Sequence, residues 1–309
     1  MVRKTVTSLP DISRGTKSTS VSFAHPEYLV ETDWLAAHLD DPHLRILDCT
    51  VFLHADNARS YRVESGYQKW QEGHIPGSGF ADLTKDLSDP KGRFMFTMPA
   101  AERFAEAMSR YGVSEGTHVV LYDSLMNIWA ARVWWMLRAF GFDNTAVLSG
   151  GWRKWRQEER PVSTSPTKLS FGHFVARPRP QLIAHKSDVL AAIGNESTCI
   201  INALTFEEHA GKGQSRYKRP GRIKSSVNVP FMTLVDPETH AYLPAKQLRA
   251  RFADVGALNR KHVVTYCGGG IAACSDAFVL TLLGIDNVAI YDGSLTEWTT
   301  DPETPMETD

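Results

Sequence analysis

The chain has only four cysteines, Cys49, Cys199, Cys267 and Cys274, and no two of them form a CxxC pair. That spacing excludes a zinc ribbon, and at 309 residues a disulfide framework is not expected either. Long hydrophobic runs are missing as well. No stretch approaches the roughly eighteen apolar residues that a membrane-spanning helix needs. An excess of one charge is also absent: 34 basic residues face 35 acidic ones, for a formal net charge of -1. Such a balance gives no long-range field to gather nucleic acid or an anionic membrane, so neither is expected as a partner. The opening MVRKTVTSLPDISRGTKSTS lacks the apolar core of a secretory signal, which makes a cytoplasmic location the expectation. Its basic, Ser/Thr-rich composition, with Asp11 as the only acid, leaves a mitochondrial leader as the alternative.

What is present is apolar material for two cores. Hydrophobic residues make up 42% of the chain and charged ones 22%, at a length too great for one typical α/β core. The two halves repeat one another. Ile46-Leu47-Asp48-Cys49 matches Ile200-Ile201-Asn202-Ala203, and His118-Val119-Val120-Leu121-Tyr122-Asp123 matches His262-Val263-Val264-Thr265-Tyr266-Cys267. The Gly73-to-Ser78 turn matches Gly221 to Ser226, and Gly150 and Trp155 match Gly293 and Trp298. Offsets run from 154 at the first pair to 143 at the last, so only short insertions separate the copies of a duplication. The expected domains are residues 21–157 and 181–309. Residues 158–180 form the linker, a polar stretch interrupted by Pro161, Pro166, Pro178 and Pro180.

Within each half, short apolar runs alternate with segments of helical length. Val119–Tyr122 and Ala146–Leu148 read as buried strands, and Ala130–Phe140 between them reads as a helix. Strand, helix, strand with such connections predicts a doubly wound parallel sheet flanked by helices, with ligands at the carboxyl ends of the strands. Cys267 stands at such an end. It closes the run His262–Tyr266 and opens Gly268-Gly269-Gly270-Ile271-Ala272-Ala273, a glycine loop leading into an apolar helix. Backbone N–H groups gathered at a helix start favour an anion, and they lower a thiol pKa from about 8.5 into a range of roughly 3.5 to 7.5 at electropositive sites. The same cradle suits a persulfide. Cys274, one turn into the helix, is expected to be an inert buried thiol.

With these features in place, the chain resembles the tandem rhodanese sulfurtransferases. The resemblance rests on the duplication, the His74-Ile75-Pro76-Gly77 turn, the Ala130-Ala131-Arg132-Val133-Trp134-Trp135 helix, the Gly150-Gly151-Trp152 turn and the closing Tyr291-Asp292-Gly293-Ser294-Leu295-Thr296-Glu297-Trp298. It implies two rhodanese-like domains, the first inactive because Asp123 stands at the cysteine position, the second catalytic through Cys267. The Cys267 thiolate would take a sulfane sulfur from a small donor, hold it as a persulfide and pass it to a thiol, to cyanide or to a thioredoxin-like acceptor. No metal or organic cofactor is required by that chemistry. The alternatives are a thiosulfate:cyanide enzyme and a non-catalytic persulfide relay. A rhodanese-fold phosphatase is disfavoured because Ala273 occupies the place of the phosphate-clamping arginine.

The loop departs from the family's two familiar patterns. It lacks the cations of thiosulfate-preferring members, and Gly269 and Ala272 stand where mercaptopyruvate-preferring members carry hydroxyls. Mercaptopyruvate is therefore the favoured donor, being less dependent on loop cations. Glu208 takes the position of one of the family's two carboxylate-binding arginines; Arg216, allowing a one-residue gap, is the candidate for the other, with Arg219 and Arg222 as nearby substitutes and His74 as a further substrate-binding candidate. Asn202 and Leu204 replace a common Asp and Arg, and Val51 replaces an aromatic that often lines the pocket. Arg132 is expected to pair locally near the inactive loop. Trp134, Trp135, Trp152, Trp155 and Trp298 are expected to pack in core and turns.

Overall fold

The computed structural model describes residues 22–56 and 61–309. The leader discussed above and the expected domain start at residue 21 lie outside the described residues. The first half runs β1 (Leu29–Val30), α1 (Thr32–Ala37), β2 (Leu44–Asp48), a hairpin of β3 (Val51–Ala55) and β4 (Tyr61–Ser65), α2 (Tyr67–Glu72), β5 (Gly79–Phe80), α3 (Ala101–Arg110), β6 (His118–Tyr122), α4 (Ile128–Ala139), β7 (Thr145–Leu148) and α5 (Gly151–Gln157). The second half runs β8 (Ile183–Ala184), α6 (Lys186–Ala192), β9 (Thr198–Asn202), α7 (Phe206–Ala210), β10 (Arg222–Ile223), β11 (Val227–Asn228), α8 (Ala245–Asp254), β12 (His262–Tyr266), α9 (Ala272–Leu282), β13 (Val288–Tyr291), α10 (Ser294–Trp298) and β14 (Met306–Glu307).

The apolar runs are buried along nearly their whole length, as expected for parallel strands covered on both faces. They assemble into two five-stranded parallel sheets, ordered β1-β7-β6-β2-β5 and β8-β13-β12-β9-β11. The order is the same in both. Register carries the repeat down to single residues: Asp48 lies beside Tyr122, and Asn202 beside Tyr266. Asp123 and Cys267 therefore follow equivalent strands at the carboxyl edge of each sheet.

The repeated turn motif has a physical reason. In the first copy the Tyr122 hydroxyl is 3.0 Å from Ser78 Oγ and accepts from the Ile75 amide at 3.4 Å. In the second, the Tyr266 hydroxyl is 2.8 Å from Ser226 Oγ and accepts from the Ile223 amide at 3.0 Å. Each turn is thus fastened to the strand that ends at the site. Helices α4 and α9 pack against each other between the sheets, with Trp134 edge-on to Phe278 at 4.9 Å. Every residue of α9 is buried. Trp134, Trp135, Trp155 and Trp298 lie in the core, and Trp152 is half-buried.

The segment between the halves is irregular but not loose. The amides of Gly172, Arg177 and Arg179 donate to the carbonyls of Ser109, Phe140 and Ala139, each at 2.7 Å, and Phe174 is buried. This strap binds the segment to the first half. Among the described residues no helix is long and apolar enough to cross a membrane.

As at Asp41 and Asn195, the repeat carries an acid in one copy and its amide in the other at Asp48. Its Oδ1 accepts from the Thr50 amide at 2.8 Å, and Asn202 Oδ1 accepts from the Leu204 amide at 2.9 Å. Burial raises the Asp48 pKa to about 7, assisted by the nearby Asp123 carboxyl and opposed by the Thr50 hydrogen bonds. Because the folded pKa lies above the ordinary 3.8, the unfolded chain ionises first as pH rises, and stability is lost between about pH 4 and 7. Asp48→Asn keeps the Oδ1 acceptor and has no such loss. It is expected to be more stable than the parent at pH 8, on the order of 2 kcal/mol, and to lose that advantage at pH 4. Thermal unfolding of both proteins across this range reads the difference directly.

Candidate active site

Cys267 is 2% exposed and sits where β12 ends and the loop to α9 begins. The three following glycines serve three different purposes. A Cβ on Gly268 would overlap the Tyr217 hydroxyl. Gly269 faces open space, with Thr296 Oγ1 the nearest atom at 3.8 Å. Gly270 has φ +77°, and a Cβ there would lie 2.8 Å from the Asp292 carbonyl. Only the first and third positions require glycine.

The loop is held from behind by Ser294, a residue that sequence reasoning placed in a motif without a role. Its Oγ accepts from the amides of Cys267 and Gly270, both at 3.1 Å, and donates to the Tyr291 carbonyl at 2.8 Å. Thr296 adds a hydroxyl bond to the Gly268 carbonyl at 2.6 Å. Two of the loop's amides are thereby committed to the scaffold. Helix α9 begins without a side-chain cap, so its first amides face the loop.

In the first domain the corresponding loop cradles a carboxyl group. Asp123 Oδ1 accepts from the amides of Leu125 at 2.5 Å and Asn127 at 3.2 Å, while Oδ2 accepts from Trp129 and Ala130, both at 2.9 Å. Burial raises the Asp123 pKa, and those four amides work against that rise. At the same 144-residue spacing that relates Asp123 to Cys267, these donors correspond in sequence to Gly269, Ile271, Ala273 and Cys274, but the loops differ: Asn127 is left-handed at φ 62° where Ile271 has φ -88°, and the Cys274 amide donates to the Ile271 carbonyl at 3.0 Å.

Arg132 holds the loop from the other domain. It is fully buried, lies 2.6 Å from Asp292 Oδ1, and donates to the carbonyls of Gly270 at 3.2 Å and Phe96 at 2.8 Å. Burial opposes its charge, but the Asp292 carboxylate more than compensates and raises the pKa. The local pair expected from the sequence is replaced by one that crosses the domain boundary. Cys274 donates its thiol to the Gly270 carbonyl at 3.0 Å, and burial pushes its pKa up to about 12.

Above the sulfur, a pocket of about 250 Å³ opens between the domains. Tyr61, Phe96 and Trp129 come to it from the first domain, Tyr217 and Phe231 from the second. Val51 is buried in the core, so these other rings supply the aromatic wall that its substitution had put in question. Burial first, then the neighbouring Cys267 and Glu208, push the Tyr217 phenol up, so it remains a donor.

The structure does not bring all the candidate residues here. Arg219 spends its guanidinium on the carbonyls of Pro302, Asp301 and Thr304 and on the Thr304 hydroxyl. Arg222 pairs with Asp309 at 2.7 Å and lies 3.8 Å from Glu307. Both fasten the C-terminal segment and lie outside the pocket lining. His74 lies in the first domain, buried, stacked on Trp70 at 4.3 Å, with Nδ1 2.8 Å from the Trp70 carbonyl. Arg216 alone approaches, its guanidinium 4.8 Å from the centre of the Tyr61 ring. Glu208 is the last residue of a Thr205-x-x-Glu208 capping box on α7. That capping pattern was visible in the sequence.

The Gly268 contact gives a test. Gly268→Ala is expected to lower sulfur transfer at least about tenfold by driving Tyr217 out of the pocket wall, and Tyr217→Ala in the same chain should restore part of it. A double variant no better than Gly268→Ala alone would mean that the loop itself, and not the tyrosine, rejects the methyl group.

The family model described as "Rhodanese-like domain" matches residues 31–158 and 187–301. The 3-mercaptopyruvate sulfurtransferase of Escherichia coli K12 is 31% identical over 283 residues, covering 91% of this chain and 98% of that protein. The thiosulfate sulfurtransferase of Rattus norvegicus is 32% identical over 279 residues, covering 87% and 91%. The crystal structure of SseA from Escherichia coli, described as a 3-mercaptopyruvate sulfotransferase, superposes with a TM-score of 0.74 at 31% identity, covering 86% of this chain and 98% of that one. With two matched domains and relatives of this length and identity, the chain belongs to the rhodanese family of sulfurtransferases, as a tandem-domain member.

Proposed function

We propose that Cys267 carries the transferred sulfur as a persulfide, and that 3-mercaptopyruvate is a better donor than thiosulfate. The observation that supports the first part is the occupied cradle of Asp123, which accepts four backbone amides at the position equivalent to Cys267. A frame that satisfies a carboxyl group in one copy suits a thiolate or persulfide in the other. The Cys267 thiolate attacks the sulfur of mercaptopyruvate, and the sulfur–carbon bond breaks with its electron pair on carbon. The resulting enolate takes the sulfur-bound proton, which leaves pyruvate and a Cys267 persulfide anion. A thiol or cyanide then attacks the outer sulfur and returns the Cys267 thiolate. Thioredoxin-like proteins are acceptors of the same chemical type.

The donor preference follows from charge. Among the described residues lining the pocket none is Asp, Glu, Lys, Arg or His. The thiosulfate dianion would lose hydration there without a cation to replace it, at a greater cost than a monocarboxylate incurs. Arg216, whose guanidinium lies 4.8 Å from the centre of the Tyr61 ring, is the residue proposed to meet the donor carboxylate.

Two expectations test this reading. Cys267→Ser should abolish transfer, whereas Cys49→Ser, Cys199→Ser and Cys274→Ser should retain most of it; sulfur trapped on another cysteine of the Cys267→Ser protein, seen by mass spectrometry, would refute the assignment. Pyruvate release from mercaptopyruvate should exceed sulfite release from thiosulfate in kcat/KM. Arg216→Ala should raise KM for mercaptopyruvate several-fold (~1 kcal/mol), and Gly269→Ser, whose side chain meets open space, should raise kcat by returning a hydroxyl to the loop. Faster thiosulfate turnover with an indifferent Arg216→Ala variant would overturn both donor and anchor.

A further inference from the structure

A second cavity, of about 560 Å³, lies in the first domain and shares no lining residue with the pocket over Cys267. That volume falls within the roughly 300–1,000 Å³ typical of small-molecule sites. Its floor is built from α2, β5 and the end of α3, and its roof from residues 164–169 of the segment between the halves. The roof is pinned at both ends. His74 and Ser163 exchange backbone hydrogen bonds, both at 2.9 Å, and the Leu169 side chain fills the space that a Cβ on Gly79 would take. Between these points the rings of Tyr67, Trp70, Phe80 and Tyr111 line the cavity. Tyr67 stacks on Trp70 at 5.6 Å and is 44% exposed, so part of this aromatic face stays uncovered.

The polar groups around it say what would be held there. The His74 ring also lines the cavity, and its buried Nε2 has no hydrogen-bond partner among the described residues. Nδ1 faces the Trp70 carbonyl at 2.8 Å and so carries the ring proton, which leaves Nε2 as a lone-pair acceptor. The fold does not call for histidine at this point, because Arg222 stands at the equivalent position of the second copy and pairs with Asp309. Buried acceptors are normally satisfied, so Nε2 calls for a donor from outside the chain. Charge in the lining favours an acid. Among the described residues no carboxylate lines the cavity, and of the cations that do, Arg110 is paired with Asp86 at 3.1 Å and Glu106 at 2.7 Å while Lys168 stands exposed on the roof. We propose that this cavity is a second ligand site, for an aromatic acid that carries a hydroxyl or N–H donor: the ring packs on Tyr67 and Trp70, the donor meets His74 Nε2, and the acid meets Lys168.

Calorimetric titration of the full chain with 4-hydroxybenzoate at about pH 7, where the phenol is protonated, tests the site against benzoate, which lacks the donor, and phenol, which lacks the acid. A single equivalent of 4-hydroxybenzoate is expected to bind with a Kd of about 1 mM or tighter, and each comparator at least about fivefold more weakly. Lys168→Ala should weaken 4-hydroxybenzoate about threefold and leave phenol unchanged. His74→Phe, which keeps a ring against Trp70, should erase the advantage over benzoate. Tyr67→Ala changes an exposed ring and should weaken all three compounds, which keeps the site testable should His74→Phe fail to fold. Alkylation of Cys267 by iodoacetamide should keep its rate with the ligand bound. Absence of binding at about 10 mM ligand, binding that neither Lys168→Ala nor Tyr67→Ala weakens, or binding that protects Cys267 would each overturn the proposal.

Discussion

The buried ion pair between Arg132 and Asp292 is the constraint on which the site depends. One guanidinium from the first domain contacts the carbonyl of Gly270, the carbonyl of Phe96 and the carboxylate that follows β13, while Asp292 Oδ2 accepts from the Met98 amide at 3.1 Å. The loop under the sulfur and the wall above it are thereby fixed against each other. Arg132 is fully buried and Asp292 is 15% exposed, so the pair gives up most of its hydration and its worth lies less in net stability than in register. Removing one partner would strand the other and cost about 3–5 kcal/mol. The planar fork of arginine suits this position because three acceptors must be met from one side chain.

Both domains use the same frame, and the differences between them are local chemistry. Gly151 and Ser294 occupy equivalent positions with φ +52° and +47°. In the first copy a side chain there would run into the Asp123 carbonyl, so glycine is required. The second copy carries a serine in the same left-handed conformation, at a cost of about 1–2 kcal/mol. Three hydrogen bonds from its hydroxyl offset that cost, and two of them place the amides on either side of the nucleophile loop. The strain at Ser294 thus contributes to the shape of the loop.

Strands β6, β7 and β12, helix α4 and the duplication were legible because each is written in contiguous residues with a clear period. The Cys267 loop was legible for the same reason. What the sequence could not show were contacts made across the domain boundary. Arg132 reads as an ordinary helix residue, and nothing adjacent to it announces a partner 160 positions later. Arg219 and Arg222 looked available because their acceptors are backbone carbonyls and C-terminal acids that only the fold brings near. His74 belongs to a turn whose repeated pattern serves the Tyr122 and Tyr266 anchors rather than the pocket.

The division of labour between the domains follows from these contacts. Cys267, its loop and the Ser294 anchor are all second-domain residues, so the backbone amides around the sulfur come from one fold. Tyr61, Phe96 and Trp129 are first-domain residues, so much of the pocket wall belongs to the copy that carries Asp123 at the position of Cys267. Binding through apolar area and activation through amide dipoles are separable energies, one scaling with surface and the other with local geometry. A side chain can therefore change on the first domain's wall without disturbing the Cys267 loop, as long as Arg132 keeps the two domains in register. The first copy contributes to the site by supplying that wall and that guanidinium.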